Sequence, residues 1–296
     1  MAEIKLYSSV SEAVKDIFGE NRYVVKRSYV AGGDINEARA LILDDGTKLF
    51  IKSNSAASLG NFKAEAAGLD EIRATGAIGV PDVLGAGTDT GFSFLLLSFI
   101  GGGTRIRHYW ETFAAELAAM HRADVCEDRK YGFARDNWIG ARKQINTQHS
   151  KWIPFFRDCR LAPQLQSAQS YLSTEDNRRA EYLLAHLDRF LIEPEKPSLV
   201  HGDLWSGNMI TGVDGKGWLI DPAVYYGHPE VDIAMTELFG GFPKVFYEAC
   251  TDAGIIQPGY RDRRDLYNLY QLLNHLNMFG RGYLPEVRRI LKRYAG

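Results

Sequence analysis

The sequence has little cysteine and no long apolar run. Its three cysteines, Cys126, Cys159 and Cys250, lie far apart and form no CxxC pair, which argues against a disulfide framework and against a zinc site. No apolar stretch approaches the length that crosses a bilayer, and the first residues lack the basic and then apolar layout of a signal peptide. We therefore expect a cytoplasmic protein with reduced thiols and no membrane partner.

An excess of basic charge is also missing. Lysine and arginine total 35 against 37 aspartate and glutamate, a formal net charge of -2, and the basic clusters at 261–264 and 288–293 lie in helix-like segments interspersed with acidic residues. This balance argues against a nucleic-acid partner. The length of 296 residues is enough for one large domain or for two lobes, each with a core.

The apolar pattern divides the chain into a strand-rich and a helix-rich part. Within residues 1–100 it predicts helices at 11–18 and about 61–75 and strands at 23–30, 38–43, 48–52, 81–84 and 92–99. Within 104–296 it predicts helices at about 109–122, 175–192, 233–239, 244–253, 261–279 and 285–294, and leaves 124–172 as a long segment of weak periodicity. The three glycines at 101–103 indicate a hinge, or else a plain tight turn. We predict an α+β protein with a small β-rich lobe, an antiparallel sheet and a larger, mostly helical lobe.

The strongest chemical signal is the segment 201–208, His-Gly-Asp-Leu-Trp-Ser-Gly-Asn, followed thirteen residues later by Asp221. One carboxylate, an amide five positions on and a second carboxylate supply a proton acceptor and two hard oxygen ligands, which suits magnesium-dependent phosphoryl transfer. We predict Asp203 as the catalytic base and Asn208 and Asp221 as magnesium ligands. Taken alone, the position of Asp203 favours a turn residue that caps the following segment, and Asp221 is equally compatible with a turn at the end of a strand. The spacing of Asp203, Asn208 and Asp221 favours the site.

Two residues near this segment are expected to support it without reacting. His201, two positions before the predicted base, is expected to buttress the loop by hydrogen bonding. Asp232 is expected to cap a helix start or to hold the backbone of the catalytic loop.

In the first lobe, Lys52 ends the apolar strand and offers a point charge for the α- and β-phosphates of ATP. Glu65 on the following helix is its predicted partner, with Glu71 as the alternative. An exposed lysine at the end of a strand has the same local pattern.

Two further nucleotide contacts depend on position alone. Gly32 and Gly33 give a weak phosphate-loop signal, because a glycine pair between strands is by default a hairpin turn. Ser98 and Ile100 precede the hinge glycines, where backbone groups would meet adenine, although an apolar edge strand looks the same.

The full set of motifs resembles the kinase-like superfamily of aminoglycoside phosphotransferases, choline kinases and fructosamine kinases, and most closely the fructosamine (ketosamine) kinase family. Trp205 after Leu204 is more typical of fructosamine kinases than of their relatives. The resemblance runs from about Tyr29 to the last helices. It is carried by 201–208, by Ile220-Asp221-Pro222-Ala223-Val224-Tyr225-Tyr226-Gly227, and by an aromatic-rich middle stretch that includes Tyr131-Gly132-Phe133, Asn137-Trp138-Ile139-Gly140 and Phe155-Phe156.

This resemblance implies a two-lobed protein-kinase-like fold and an enzyme that uses ATP and Mg²⁺. It implies transfer of the γ-phosphate to a sugar hydroxyl, the 3-hydroxyl in the family, of a ketosamine such as fructosamine or ribulosamine, free or protein-bound. The phosphorylated adduct then falls apart, so the implied role is deglycation. By motif, Asp203 would be the base, Asn208 and Asp221 the metal ligands, and Lys52 with Glu65 the phosphate-binding pair.

The chain departs from its relatives at two places. Asp34 stands where some family members carry a cysteine in the glycine-rich loop, so a thiol switch is not expected there. Gly202 stands where protein kinases have an arginine, and no Ala-Pro-Glu motif follows Asp221. Neither activation-loop control nor protein-kinase activity is therefore expected.

We further hypothesise that Trp205, Tyr225, Tyr226 and Glu230 shape the acceptor pocket, with aromatic faces against the sugar and the cationic amine near rings or a carboxylate. The alternative is that the tyrosines belong to the core. For the whole chain, the alternatives are an aminoglycoside- or choline-type phosphotransferase and a nucleotide-binding pseudokinase.

Overall fold

The protein is described by a computed structural model over residues 4–30, 36–126 and 128–296. Gly32 and Gly33, for which a phosphate-loop role is predicted, and Asp34 lie outside the described residues. The chain divides into two units. The first contains Met1–Tyr109 and Gly207–Pro222, and the second contains Trp110–Ser206 and Ala223–Gly296.

The first unit contains a six-stranded sheet. Its strands, in chain order, are β1 Leu6–Tyr7, β2 Val24–Tyr29, β3 Glu37–Leu43, β4 Lys48–Ser55, β5 Val83–Asp89 and β6 Phe92–Ser98, and their order across the sheet is β1-β5-β6-β4-β3-β2. The sheet is antiparallel as predicted except at β1, which pairs parallel to β5. The sequence did not predict β1, since two residues are too few to show the alternation by which a strand is recognised.

Two helices, α1 (Val10–Phe18) and α2 (Leu59–Ala74), belong to this unit. Ser9 caps α1 by accepting a hydrogen bond from the backbone of Glu12. Alternate residues of the strands, such as Leu49 and Ile51, join α1 in a buried apolar cluster. Because neighbouring side chains of a strand point to opposite faces, Lys52 leaves β4 on the other face from Ile51. Helix α2 packs on β5 and β6.

The second unit is mainly helical. Its helices are α3 Tyr109–Arg122 (which begins at the last residue of the first unit), α4 Trp152–Phe155, α5 Ala162–Ser167, α6 Thr174–Ala185, α7 Glu230–Leu238, α8 Lys244–Asp252, α9 Tyr260–Phe279 and α10 Leu284–Ala295. The helix predicted over 175–192 stops earlier, because His186 leaves helical geometry at φ -129 and ψ 24. A short 3-10 turn, Leu187–Arg189, follows it.

The segment 124–172 is not the structureless loop that its weak periodicity indicates. It contains a small antiparallel hairpin, Asn137–Ile139 with Arg142–Gln144, then α4, a π-helical turn at Phe156–Leu161, and α5. Several of its buried residues are polar: Asn137, Gln144 and Arg160 are all under 5% exposed. Hydrophobic periodicity cannot detect elements whose buried faces are polar.

A second short hairpin pairs Met209–Thr211 with Gly217–Leu219. The sequence places it in the helical lobe at 104–296, but it belongs to the first unit. The reason is local bonding: the Leu219 N–H donates to the Gly79 carbonyl at 2.8 Å, and the Gly103 N–H donates to the Thr211 carbonyl at 3.1 Å. Gly103 lies so close to this hairpin that a Cβ would stand 2.1 Å from the Gly212 oxygen. Among the described residues, no helix is long and apolar enough to cross a membrane.

Candidate active site

The first unit gathers a charged cluster around Lys52. Its ammonium donates a hydrogen bond to Glu65 Oε1 at 2.6 Å and another to Asp221 Oδ1. Glu65 lies on α2, and Asp221 follows the 209–219 hairpin, so three separate elements deliver these side chains. The lysine pairs with Glu65, the predicted partner. Lys52 is 7% exposed and Glu65 is 14% exposed, whereas Asp221 remains 38% exposed.

Burial and charge act against each other in this cluster. Burial disfavours the charged ammonium, but attraction to Asp221 and Glu65 outweighs that effect and raises the pKa of Lys52. Burial raises the pKa of Glu65, and the neighbouring lysine opposes that rise. The cluster therefore holds a fixed cation whose carboxylate partners are unequally exposed to solvent.

Asp221 and Asn208 are adjacent to each other. The Ile220 N–H donates to the Asn208 carbonyl at 3.1 Å, and the hairpin register pairs Met209 with Leu219. Asp221 has a left-handed backbone, φ 55, a conformation that aspartate adopts more readily than most residues but that is uncommon and found at functional sites. A carboxylate beside an amide oxygen is a donor set that fits Mg²⁺, which binds through one or two protein oxygens together with phosphates and water.

Asp203 lies in the second unit on a loop whose backbone is fixed from below. The carboxylate of Asp232 accepts hydrogen bonds from the His201 N–H at 2.8 Å and from the Gly202 N–H at 2.9 Å. The Gln271 side chain donates to the Gly202 carbonyl at 2.8 Å, and the Asp203 N–H donates to His201 Nδ1 at 3.3 Å. The backbone of His201, Gly202 and Asp203 is therefore hydrogen-bonded to side chains at each residue.

Gly202 is required for this loop geometry. Its φ is +81, and an added Cβ would stand 2.2 Å from the carbonyl oxygen of Ala223. A side chain here would thus be strained twice, by the left-handed backbone and by the close approach of the backbone at Ala223. The packing of this loop therefore requires glycine at position 202.

Two further residues support this loop and could not be predicted from the sequence. His121 on α3 contacts Asp232 through Nε2 at 2.9 Å, and both side chains are almost fully buried. Gln271 lies in the middle of α9. Their sequence distances from the catalytic loop are large, and neither belongs to a motif, so no local signal could have identified them.

The structure contradicts a role in the acceptor pocket for three of the four residues proposed for it. Glu230 is fully buried, and its carboxylate is occupied by Arg263 at 2.7 and 2.9 Å and by the Gln257 N–H at 3.1 Å. Tyr225 is 2% exposed, with the Arg160 guanidinium 3.9 Å from its ring centre.

Tyr226 is 8% exposed, and its hydroxyl donates to the Val125 carbonyl at 3.1 Å. These three side chains are core residues, which is the alternative left open for the tyrosines. Trp205, in contrast, is 37% exposed and keeps a surface that a ligand can reach.

The predicted adenine contacts lie at the end of β6. The Ser98 hydroxyl accepts a hydrogen bond from the Asp82 N–H at 2.7 Å, and its own N–H donates to the Asp82 carbonyl at 2.9 Å. Ile100 is half-buried. Adenine contact at these two residues stays a prediction.

The fold and the lysine–glutamate–aspartate cluster define a kinase-like phosphotransferase. A solved aminoglycoside phosphotransferase, a thermostable mutant, aligns over 97% of this chain and 100% of its own with a TM-score of 0.63 at 18% identity, which shows the shared fold. More specifically, the family model described as fructosamine kinase matches residues 6–295. The chain belongs to the fructosamine kinase family.

Individual relatives agree with this assignment. A probable ketoamine kinase of Synechocystis sp. is 37% identical over 288 residues, 97% of this chain and 96% of that protein. The chloroplastic protein-ribulosamine 3-kinase of Arabidopsis thaliana is 37% identical over 283 residues, 93% and 84% of the two chains.

A crystal structure of a Haemophilus somnus protein provisionally named fructosamine-3-kinase has a TM-score of 0.84 at 30% identity and covers 97% of each chain. The protein is thus an enzyme of the ketosamine-phosphorylating kinases, and membership of a kinase family implies ATP as the phosphate donor.

Proposed function

We propose that this enzyme transfers the γ-phosphate of ATP to the 3-hydroxyl of a ketosamine such as ribulosamine or fructosamine, free or protein-bound, and so initiates deglycation. The observation that carries the proposal is the Lys52–Glu65–Asp221 cluster in a chain that matches the family over residues 6–295. A pseudokinase would not need to preserve this cluster together with Asp203 and Asn208. We also propose a cytoplasmic location, which the three buried free cysteines support.

On the nucleotide side, Lys52 acts as the cation for the phosphates. Glu65 fixes the direction of its ammonium by the 2.6 Å hydrogen bond. Asp221 shares the same ammonium. When bound by Asn208 and Asp221, Mg²⁺ would neutralise charge on the phosphates.

On the acceptor side, Asp203 orients the attacking hydroxyl and takes its proton. Phosphoryl transfer depends chiefly on positioning and electrostatics, so the value of Asp203 lies in a backbone that does not move. The hydrogen bonds from His201 and Gly202 to Asp232, and from Gln271 to Gly202, provide that rigidity. Acid–base help of this kind contributes roughly a hundredfold to ten-thousandfold in rate.

Turnover on a panel of acceptors tests the proposal. We expect magnesium-dependent ADP release with ribulosamine and fructosamine, and none above background with kanamycin or choline. The Asp203→Asn variant, which is nearly the same size, should lose about a hundredfold or more of the rate while still binding ATP. Turnover of kanamycin or choline alone would favour the aminoglycoside- or choline-type alternative, and ATP binding without turnover of any acceptor would favour the pseudokinase.

A further inference from the structure

Five aromatic rings of the second unit form a partly exposed surface, which we call the aromatic platform. It consists of Trp205, Phe239, His275, Phe279 and Tyr283. The ring centres of Trp205 and Phe239 are 6.2 Å apart, and those of Phe239 and His275 are 4.9 Å apart. His275 in turn lies 5.4 Å from Phe279 and 5.1 Å from Tyr283. The rings are therefore continuous from the catalytic loop outward.

Helix α9 carries the platform residues His275 and Phe279, which lie toward the end farther from Asp203. Gln271, His275 and Phe279 are spaced by four residues and lie along one face of that helix. The first of them holds the Gly202 carbonyl at 2.8 Å, and the peptide that it holds leads directly into Asp203. The near end of the platform, Trp205, is two residues after Asp203. The platform thus begins beside the predicted base and extends away from it.

The exposed fractions of its rings indicate that the platform is a ligand surface and not part of the hydrophobic core. Trp205 is 37% exposed and Phe279 is 51% exposed, although both are in contact with other rings. Phe239, His275 and Tyr283 are half-buried beneath and between them. Large apolar groups exposed in continuous contact mark a binding surface more often than rings scattered singly.

The electrostatics suit a cation with an apolar substituent. Burial lowers the pKa of His275, and its Nδ1 lies 2.9 Å from the Gln271 carbonyl, to which it donates as a neutral imidazole. A neutral histidine does not repel an ammonium group. The faces of the other four rings carry the negative potential that attracts one.

We propose that the aromatic platform binds the amine-bearing part of the ketosamine. Trp205 and Phe239 contact the secondary ammonium group near the sugar. Phe279 and Tyr283 contact the substituent of that amine, such as the aliphatic chain of a glycated lysine. This inference depends on the proposed function, and it names the determinant by which the enzyme distinguishes lysine adducts from adducts of small amines.

A substitution at the far end separates the two parts of the substrate. We compare ribulose adducts of methylamine and of Nα-acetyl-lysine, with Phe279→Ser as the test variant and Phe279→Tyr as the variant that keeps a ring. The ratio of the KM for the lysine adduct to the KM for the methylamine adduct should rise about three- to tenfold in Phe279→Ser. It should stay within about twofold of wild type in Phe279→Tyr, and the ATP KM should not change.

A control variant and a second test variant keep the result specific. Tyr182→Ser removes an exposed aromatic ring that stacks on a histidine, His186, elsewhere in the same unit, and should leave the KM ratio at the wild-type value. Tyr283→Ser is a second test variant, expected to act in the same direction as Phe279→Ser. Urea unfolding of each variant checks that the fold is intact.

The outcomes distinguish this inference from the function on which it depends. If the wild-type enzyme phosphorylates both adducts while Phe279→Ser and Tyr283→Ser leave the KM ratio unchanged, the platform is not the binding surface and the proposed function stands. If the wild-type enzyme phosphorylates neither adduct, the proposed function is refuted and the platform assignment is refuted with it.

Discussion

The polar clusters of the two units differ in how deeply their carboxylates are buried and in the groups that those carboxylates contact. In the first unit, Lys52 bridges Glu65 and Asp221, and Asp221 is 38% exposed on a left-handed backbone. In the second unit, Asp232 is fully buried, and its partners are backbone N–H groups and His121. In the first cluster one carboxylate remains open to solvent, whereas in the second the carboxylate holds one backbone conformation.

Removing the cation of the first cluster should give the largest effect. Lys52→Met should lower kcat/KM for ATP by about a hundredfold to a thousandfold, the usual range for loss of one group that stabilises developing charge. Lys48→Met removes an exposed lysine from the same strand and should have little effect. Steady-state kinetics at varied ATP concentration measures both.

The stability of variants in the first cluster tests whether that cluster serves the nucleotide or the fold. In the double variant Lys52→Met/Glu65→Leu, the buried pair is replaced by apolar groups, so the free energy of unfolding should stay the same or increase by about 1–4 kcal/mol. A large loss of stability with retained activity would mean that the cluster serves the fold and not the nucleotide.

The second cluster should show the opposite behaviour. Asp232→Asn replaces one carboxylate oxygen by an amide donor that faces a buried backbone N–H group. We expect a loss of about 2–3 kcal/mol in the free energy of unfolding, measured in urea. Asp188→Ala, at an exposed aspartate of the same unit, is the control. An Asp232→Asn protein as stable as wild type would contradict the supporting role.

A smaller effect is expected on the free energy of unfolding at acidic pH. Burial and the nearby Arg263 lower the pKa of His228 to about 3. Because the unfolded histidine takes up its proton near pH 6.5 and the folded one does so only near pH 3, stability is complete above pH 6.5 and falls as the pH decreases between these values.

We therefore compare His228→Asn with wild type by urea unfolding at several pH values. Asparagine keeps an acceptor for the Glu230 N–H, which lies 3.2 Å from His228 Nδ1. Between pH 7 and pH 5, wild type should lose about 2 kcal/mol relative to the variant. Above pH 7 the difference should be flat, and a constant difference down to pH 5 would show that the histidine is not held neutral.

Local patterns in the sequence were enough for the family, for the kinase-like α+β fold and for most long elements. Helix α9 was predicted at 261–279 and runs over Tyr260–Phe279, because strong helical periodicity is visible within one segment. Lys52 could be singled out because it follows the apolar run Leu49-Phe50-Ile51, although the strand itself continues to Ser55. The predicted catalytic segment 201–208 could be singled out because Asp203, Asn208 and the following Asp221 are close together in sequence.

Features that depend on distant partners could not be predicted. Glu230 looked like an available acid, but Arg263, 33 positions later, occupies it. Similarly, the platform residues Phe239 and His275 come next to Trp205 only through the packing of α7 and α9. No period or motif encodes such contacts, because the residues in contact belong to different elements.

The central claim is the position of the phosphate, and the product of the ribulosamine reaction tests it most directly. Phosphorus and proton NMR recorded during the reaction, before the phosphorylated adduct falls apart, should show one new phosphate ester whose phosphorus couples to the proton on carbon 3 of the sugar. The Asp203→Asn enzyme should form none in the same time. An ester at another hydroxyl, or ATP hydrolysis without any sugar ester, would contradict the account.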